Sequence, residues 1–238
     1  MHPLLQQSCS GDANATDCEL SLSEHYRILD ELTEAGCLWL LFTGGGDFFN
    51  AMINLRRDCS QTSLDVRLTP AEVVKLDLKY PERVYDWKCF AARLNHAAID
   101  LDRAENLHAC GAGHNSFAID PYGRLGLCVL STTDSYDLRQ GCFKEGWGKH
   151  LAAVRREKAS QITKCTTCRL KSMCGICPAN SVLECMDAEE PVDFLCQVAH
   201  LRAYALDLPI APHGECEYCR DGSRYEDIMN TIEDLKGC

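Results

Sequence analysis

Seventeen of the 238 residues are cysteine, and they crowd into one part of the chain. Five lie in residues 1–109 (Cys9, Cys18, Cys37, Cys59 and Cys89) and twelve in residues 110–238, making the second part about 9% cysteine. Thiols at that density need a chemical use, either disulfides or metal ligation. An odd total leaves at least one cysteine outside any set of paired disulfides. The opening residues, Met1-His2-Pro3-Leu4-Leu5, lack a basic stretch ahead of an apolar one, so no secretory signal is expected. The expected compartment is the cytoplasm, where thiols stay reduced. Metal or iron–sulfur ligation is therefore the better reading.

Charge and hydropathy remove other classes. With 24 Lys and Arg against 35 Asp and Glu, the net charge is −11, and a surface that acidic repels phosphate backbones. No nucleic-acid partner is expected. The longest apolar run, Cys37 to Phe42, is far too short to span a bilayer, so no membrane partner is expected either.

The first part reads as α/β pieces. Ser21-Leu22-Ser23-Glu24 is a capping box, and Leu22, Tyr26, Leu29 and Leu32 recur at helical spacing up to Gly36. The apolar residues 37–43 predict a buried strand that ends in Gly44-Gly45-Gly46. Residues 63–68 alternate as a short strand should. Thr69-Pro70-Ala71-Glu72 opens a second helix, and Pro81 opens a third that runs to about residue 96. Further on, apolar runs on either side of Asp120-Pro121-Tyr122-Gly123 predict a β-hairpin. Amphipathic helices are predicted over 145–158, 192–206 and 224–235.

Cys165-x2-Cys168-x5-Cys174-x2-Cys177 is the sharpest motif. A two-residue spacer turns two thiolates towards one centre while neighbouring amides point at the sulfurs. Lys164, Arg169 and Lys171 would moderate the crowded negative charge. This spacing alone suits a structural zinc ion as well as an iron–sulfur cluster. A second tight pair, Cys216-Glu217-Tyr218-Cys219, lies outside the motif. It lacks the βαβ context of a redox dithiol, which leaves capping or shielding a cluster, or no role at all, as the other readings. Cys37 and Cys89 read as core thiols.

The wider pattern adds Cys110-x12-Gly123-x4-Cys128 before the motif and Cys196 after it. From Cys110 to Cys196 the chain resembles the SPASM domain, the auxiliary-cluster extension of radical S-adenosylmethionine enzymes that modify peptides and proteins. The resemblance implies up to two auxiliary [4Fe–4S] clusters. One would take Cys110, Cys128 and Cys177, with its fourth position open or filled by His114, Cys142 or Cys185. The other would take Cys165, Cys168, Cys174 and Cys196.

Residues 35–45 also resemble the second strand of a radical-SAM barrel, whose following Gly-Gly-Glu loop holds the amine of S-adenosylmethionine. Gly44 and Gly45 match that loop, but Gly46 stands where the glutamate is expected. The Cys-x3-Cys-x2-Cys loop of the catalytic cluster is missing from this sequence. The implied fold is α+β: remnant βα units of a partial (β/α) barrel, then a Cys-rich SPASM-like domain of a β-hairpin and helices. The implied domains are a shortened core over 1–109, the SPASM-like domain over 110–200, and a helical extension over 201–238. The expected function is electron transfer, or anchoring a peptide substrate for a partner enzyme, through auxiliary clusters. An active radical-SAM peptide maturase and a zinc-stabilised binding module are the alternatives.

Overall fold

A computed structural model describes residues 19–38, 40, 67–95, 106–108, 110–131, 133–166, 168, 170–208, 210 and 215–237. Contacts divide the chain into two compact units, each built from two stretches. Met1–Gly46 with His108–Glu157 forms unit 1, and Asp47–Leu107 with Lys158–Cys238 forms unit 2.

Unit 1 begins with helix α1 (Leu22–Glu34), and its capping box is complete. Ser21 accepts from the Glu24 amide, and Glu24 accepts from the Ser21 amide at 2.7 Å. The far end closes as a Schellman turn. Gly36 adopts φ +77, its N–H donates to Thr33 O, and the Cys37 N–H donates to Leu32 O. That closure seats Cys37 against the core beside Leu32. It also accounts for a departure from the sequence reading. Cys37, Leu38 and Leu40 form no strand, and Leu38 is 95% exposed rather than buried. Residues 41–46, including Gly44, Gly45 and Gly46, lie outside the described residues, as do 63–66 and Cys9, Cys18, Cys59 and Cys238.

The predicted hairpin is present. Strands β1 (Ala118–Ile119) and β2 (Arg124–Gly126) pair antiparallel, and β3 (Tyr136–Asp137) adds to β2. The turn between β1 and β2 is fixed by Asp120, whose carboxylate accepts from the Tyr122 and Arg124 amides at 2.9 Å each. Helix α4, residues 143–154, starts earlier than predicted and ends before 158. Its middle, Gly146–Leu151, is wound as a wider π turn. Glu31 of α1 accepts from the Phe143 amide at 2.6 Å, which anchors the early start. Ile28, Leu32, Leu125, Leu138, Phe143 and Leu151 make the core of this unit.

Unit 2 is helical. It contains α2 (Pro70–Lys79), α3 (Pro81–Asn95), α5 (Lys171–Cys174), α6 (Pro178–Cys185), α7 (Asp193–Ala205) and α8 (Tyr225–Lys236). Thr69 and Glu72 form the second capping box, with Pro70 at the first helical position. Helix α7 is the axis of the unit, touched by α2, α5 and α8. Its sequence reads as amphipathic, but the structure buries Leu195, Val198, Ala199, His200, Leu201, Arg202, Ala203 and Ala205 on most of its circumference. A helix with neighbours on every side has little solvent face to keep polar. Helix α8 shares a core with α7 and α2 through Ile228, Ile232, Leu201 and Val74. Residues 201–238 are thus part of this unit rather than an appendage.

At the centre of unit 2 lies a buried ion pair. Asp77 is 1% exposed and Arg202 is 2% exposed. Arg202 donates to Asp77 at 2.8 Å and to Met173 O at 2.9 Å, and its guanidinium lies 3.9 Å from the Trp87 ring centre. Arg83 adds a second cation to Asp77. No helix of the described residues is long and apolar enough to cross a membrane.

Candidate metal centre

The thirteen described cysteines all carry thiols rather than disulfides. Unit 2 holds Cys165, Cys168, Cys174, Cys177, Cys196, Cys216 and Cys219, while unit 1 holds Cys110 and Cys128. Cys110 lies exposed in the loop before β1, and Cys128 follows β2 half-buried. His114, Cys142 and Cys185, the candidates for a fourth position beside them, are exposed. Cys37 and Cys89 are half-buried, so their core character is partial.

Within unit 2 the chain folds so that distant thiols meet. Cys165 sits in a turn built on Thr163 and Thr166, and Cys196 is on the first turn of α7. The Cys196 thiol is hydrogen-bonded to Cys165, and this bond and burial both push it well above the usual thiol range. Cys174 lies within electrostatic reach of Cys196. Cys168 is half-buried and packs against the apolar cluster that contains Leu170, Met173, Cys174 and Leu195. Cys174 closes α5, and Gly175 turns the chain back with φ +70. That turn aims the Ile176 N–H at Cys174 Sγ, 3.4 Å away. Amide-to-sulfur bonds of this kind steady thiolate ligands. Cys177 then caps α6 ahead of Pro178.

Lys164 adds the cation the spacing called for. Burial works against its charge, but the Glu217 carboxylate and the sulfurs of Cys196 and Cys216 outweigh that and raise its pKa. Among the described cysteines of unit 2, Cys165 is bonded to Cys196, Cys174 is within electrostatic reach of Cys196, and Cys168 packs on the apolar cluster that includes Cys174.

A second group was not legible in the cysteine spacing. His200, Cys216 and Cys219 are all buried, and their ligand atoms lie within 4.8 Å of one another. Cys216 Sγ is 3.4 Å and Cys219 Sγ 3.9 Å from His200 Nε2. The other ring nitrogen, Nδ1, is 2.7 Å from the Cys196 carbonyl, which as an acceptor requires a proton on Nδ1. The signal available in the sequence was the tight pair Cys216-x2-Cys219, with nothing to mark His200 as its partner.

The pair is framed by aromatic rings. Tyr218 lies 5.4 Å from the His200 ring, with the Lys164 and Arg224 cations over its own face. Burial and a hydrogen bond to Asp193 push the Tyr218 hydroxyl up. Burial, with Cys219 and Cys216 nearby, pushes Tyr204 up to about 12. Neither phenol ionises near neutral pH.

Gly222 shapes the Cys216–Cys219 turn. A Cβ there would stand 2.5 Å from Cys216 O and 2.4 Å from Glu217 O, both backbone atoms. The turn also relies on Gly222 N–H to Cys219 O and Arg224 N–H to Glu217 O. Gly222→Ala should therefore cost about 1–3 kcal/mol, the range for forced overpacking. Thermal denaturation checks this, and an unchanged midpoint would contradict the turn as described.

The chain matches no protein-family model, no curated protein and no solved structure.

Proposed function

We propose that the chain is an iron–sulfur protein of the radical-SAM/SPASM lineage, with an auxiliary-type [4Fe–4S] cluster on Cys165, Cys168, Cys174 and Cys196. The observation that carries this reading is the hydrogen bond between the thiols of Cys165 and Cys196, which come from separate segments, with Cys174 within electrostatic reach of Cys196. Such a cluster supplies one-electron transfer. The chain's own groups hold it: Ile176 N–H steadies Cys174, and Lys164 offsets thiolate charge.

The role that follows is to pass electrons to a partner enzyme or to anchor its peptide substrate. Cleavage of S-adenosylmethionine is not assigned to this chain, because its sequence has no Cys-x3-Cys-x2-Cys loop. Anaerobic reconstitution with iron and sulfide tests the reading. The expected product is brown, with broad sulfur-to-iron absorption that bleaches on reduction. A colourless protein would overturn it.

A further inference from the structure

The geometry points to a second and chemically different metal site, a single zinc ion bound by His200, Cys216 and Cys219. We infer this from three features, none of which uses a sulfur of the proposed cluster. The first is size. Zinc bonds of 2.3 Å to sulfur and 2.0–2.1 Å to nitrogen, at tetrahedral angles, put the nitrogen and sulfur about 3.6 Å apart. The observed separations of 3.4 and 3.9 Å from Nε2 bracket that value. One small ion fits between these atoms. A four-iron cluster spreads its thiolates wider, because each binds a different iron.

The second feature is orientation. A metal-binding imidazole donates its remote N–H to a carbonyl or carboxylate, which fixes the tautomer and turns the other nitrogen towards the metal. Here the Cys196 carbonyl, 2.7 Å from Nδ1, is that acceptor, and Nε2 faces the two sulfurs. The third is chemistry. Two thiolates and an imidazole are a borderline-soft donor set that favours zinc over magnesium or calcium. On binding, Zn²⁺ displaces one proton from each thiol, and both protons leave to solvent. The resulting centre of two thiolates and one dication has no net charge, which suits residues only 1–5% exposed.

The ion would staple the turn 216–224, and α8 behind it, to the middle of α7. Sequence-distant parts of unit 2 would then be tied at two points along one helix, a turn apart. The test uses the full chain, purified without oxygen and supplied with both metals, with zinc and iron measured together. About one zinc per chain is expected. Cys219→Ser should reduce zinc at least tenfold with iron unchanged.

Loss of iron and zinc together in Cys219→Ser would assign Cys219 to the cluster and overturn the separate site. So would a wild-type chain without zinc. Should the variant not fold, Co²⁺ titration of the wild-type chain with its iron–sulfur site already filled is the second measurement. A saturating one-to-one binding curve with intense tetrahedral visible bands and sulfur-to-cobalt absorption supports the site. Weak octahedral bands would overturn it. Because zinc is read separately from iron, failure of the cluster reading leaves this result interpretable.

Discussion

Replacing Cys174 with serine is expected to empty the proposed cluster site and unfold most of unit 2. Cys174 is 7% exposed and packs among Leu170, Met173, Leu195 and Ala199. The serine hydroxyl is a poor ligand for iron and a polar intruder in that core. Two losses add. The buried hydroxyl costs about 1–3 kcal/mol where it lacks a good partner. The larger loss is metal-coupled folding, since structural metal sites contribute about 10–16 kcal/mol in zinc peptides. A whole domain is stable by only about 5–15 kcal/mol. The measurement is amide hydrogen exchange on the anaerobic protein, with α5, α7 and α8 expected to lose protection. Cys89→Ser is the control, at a half-buried thiol outside every ligand set named above. It should change neither iron content nor exchange. Native protection and full iron in Cys174→Ser would remove Cys174 from the ligand set.

Asp77→Ala carries the second large effect. Burial lowers the Arg202 pKa, and Asp77 is the charge that opposes this. Deleting the carboxylate leaves a guanidinium 2% exposed, with Met173 O and the Trp87 ring as its remaining described partners. Breaking a buried pair from one side costs about 3–5 kcal/mol. In a chain of this size that lowers the melting midpoint by on the order of 10 °C. The double variant Asp77→Ala/Arg202→Met should recover most of the loss, because an apolar replacement of both charges is often neutral. Equal melting of the single and double variants would show that the pair is not what the single variant breaks. The pair also bears on the metal chemistry, since Arg202 holds the carbonyl next to Cys174.

What the sequence made legible was local. Ser21 with Glu24, Thr69 with Glu72, and the Asp120 turn are short-range arrangements of hydrogen-bonding groups, and each forms as its spacing predicts. The strand expected from residue 37 shows the limit. An apolar run reads as strand, but the Gly36 turn already spends Cys37 on closing α1. The interleaving of the two units was not legible, because pairings such as Asn106 with Lys158 join residues with no pattern in common.

The site divides the same way. The spacing around Cys165, Cys168, Cys174 and Cys177 marks them as candidate ligands, but pattern alone says nothing of which sulfurs meet. The approach of Cys165 to Cys196 comes from the path of α7 through unit 2. His200 was invisible because histidine on a helix is ordinary. Only the fold brings Cys216 and Cys219, sixteen and nineteen residues later, to its Nε2.

The central claim is that iron and inorganic sulfide, rather than zinc alone, occupy the cysteines around Cys165. The direct measurement is iron, acid-labile sulfide and zinc per chain in the anaerobically purified protein. The account predicts iron and sulfide in equal amounts, about four of each for every filled cluster, with both falling sharply in Cys165→Ser. A protein that holds zinc at full occupancy and contains no labile sulfide after anaerobic reconstitution would contradict it.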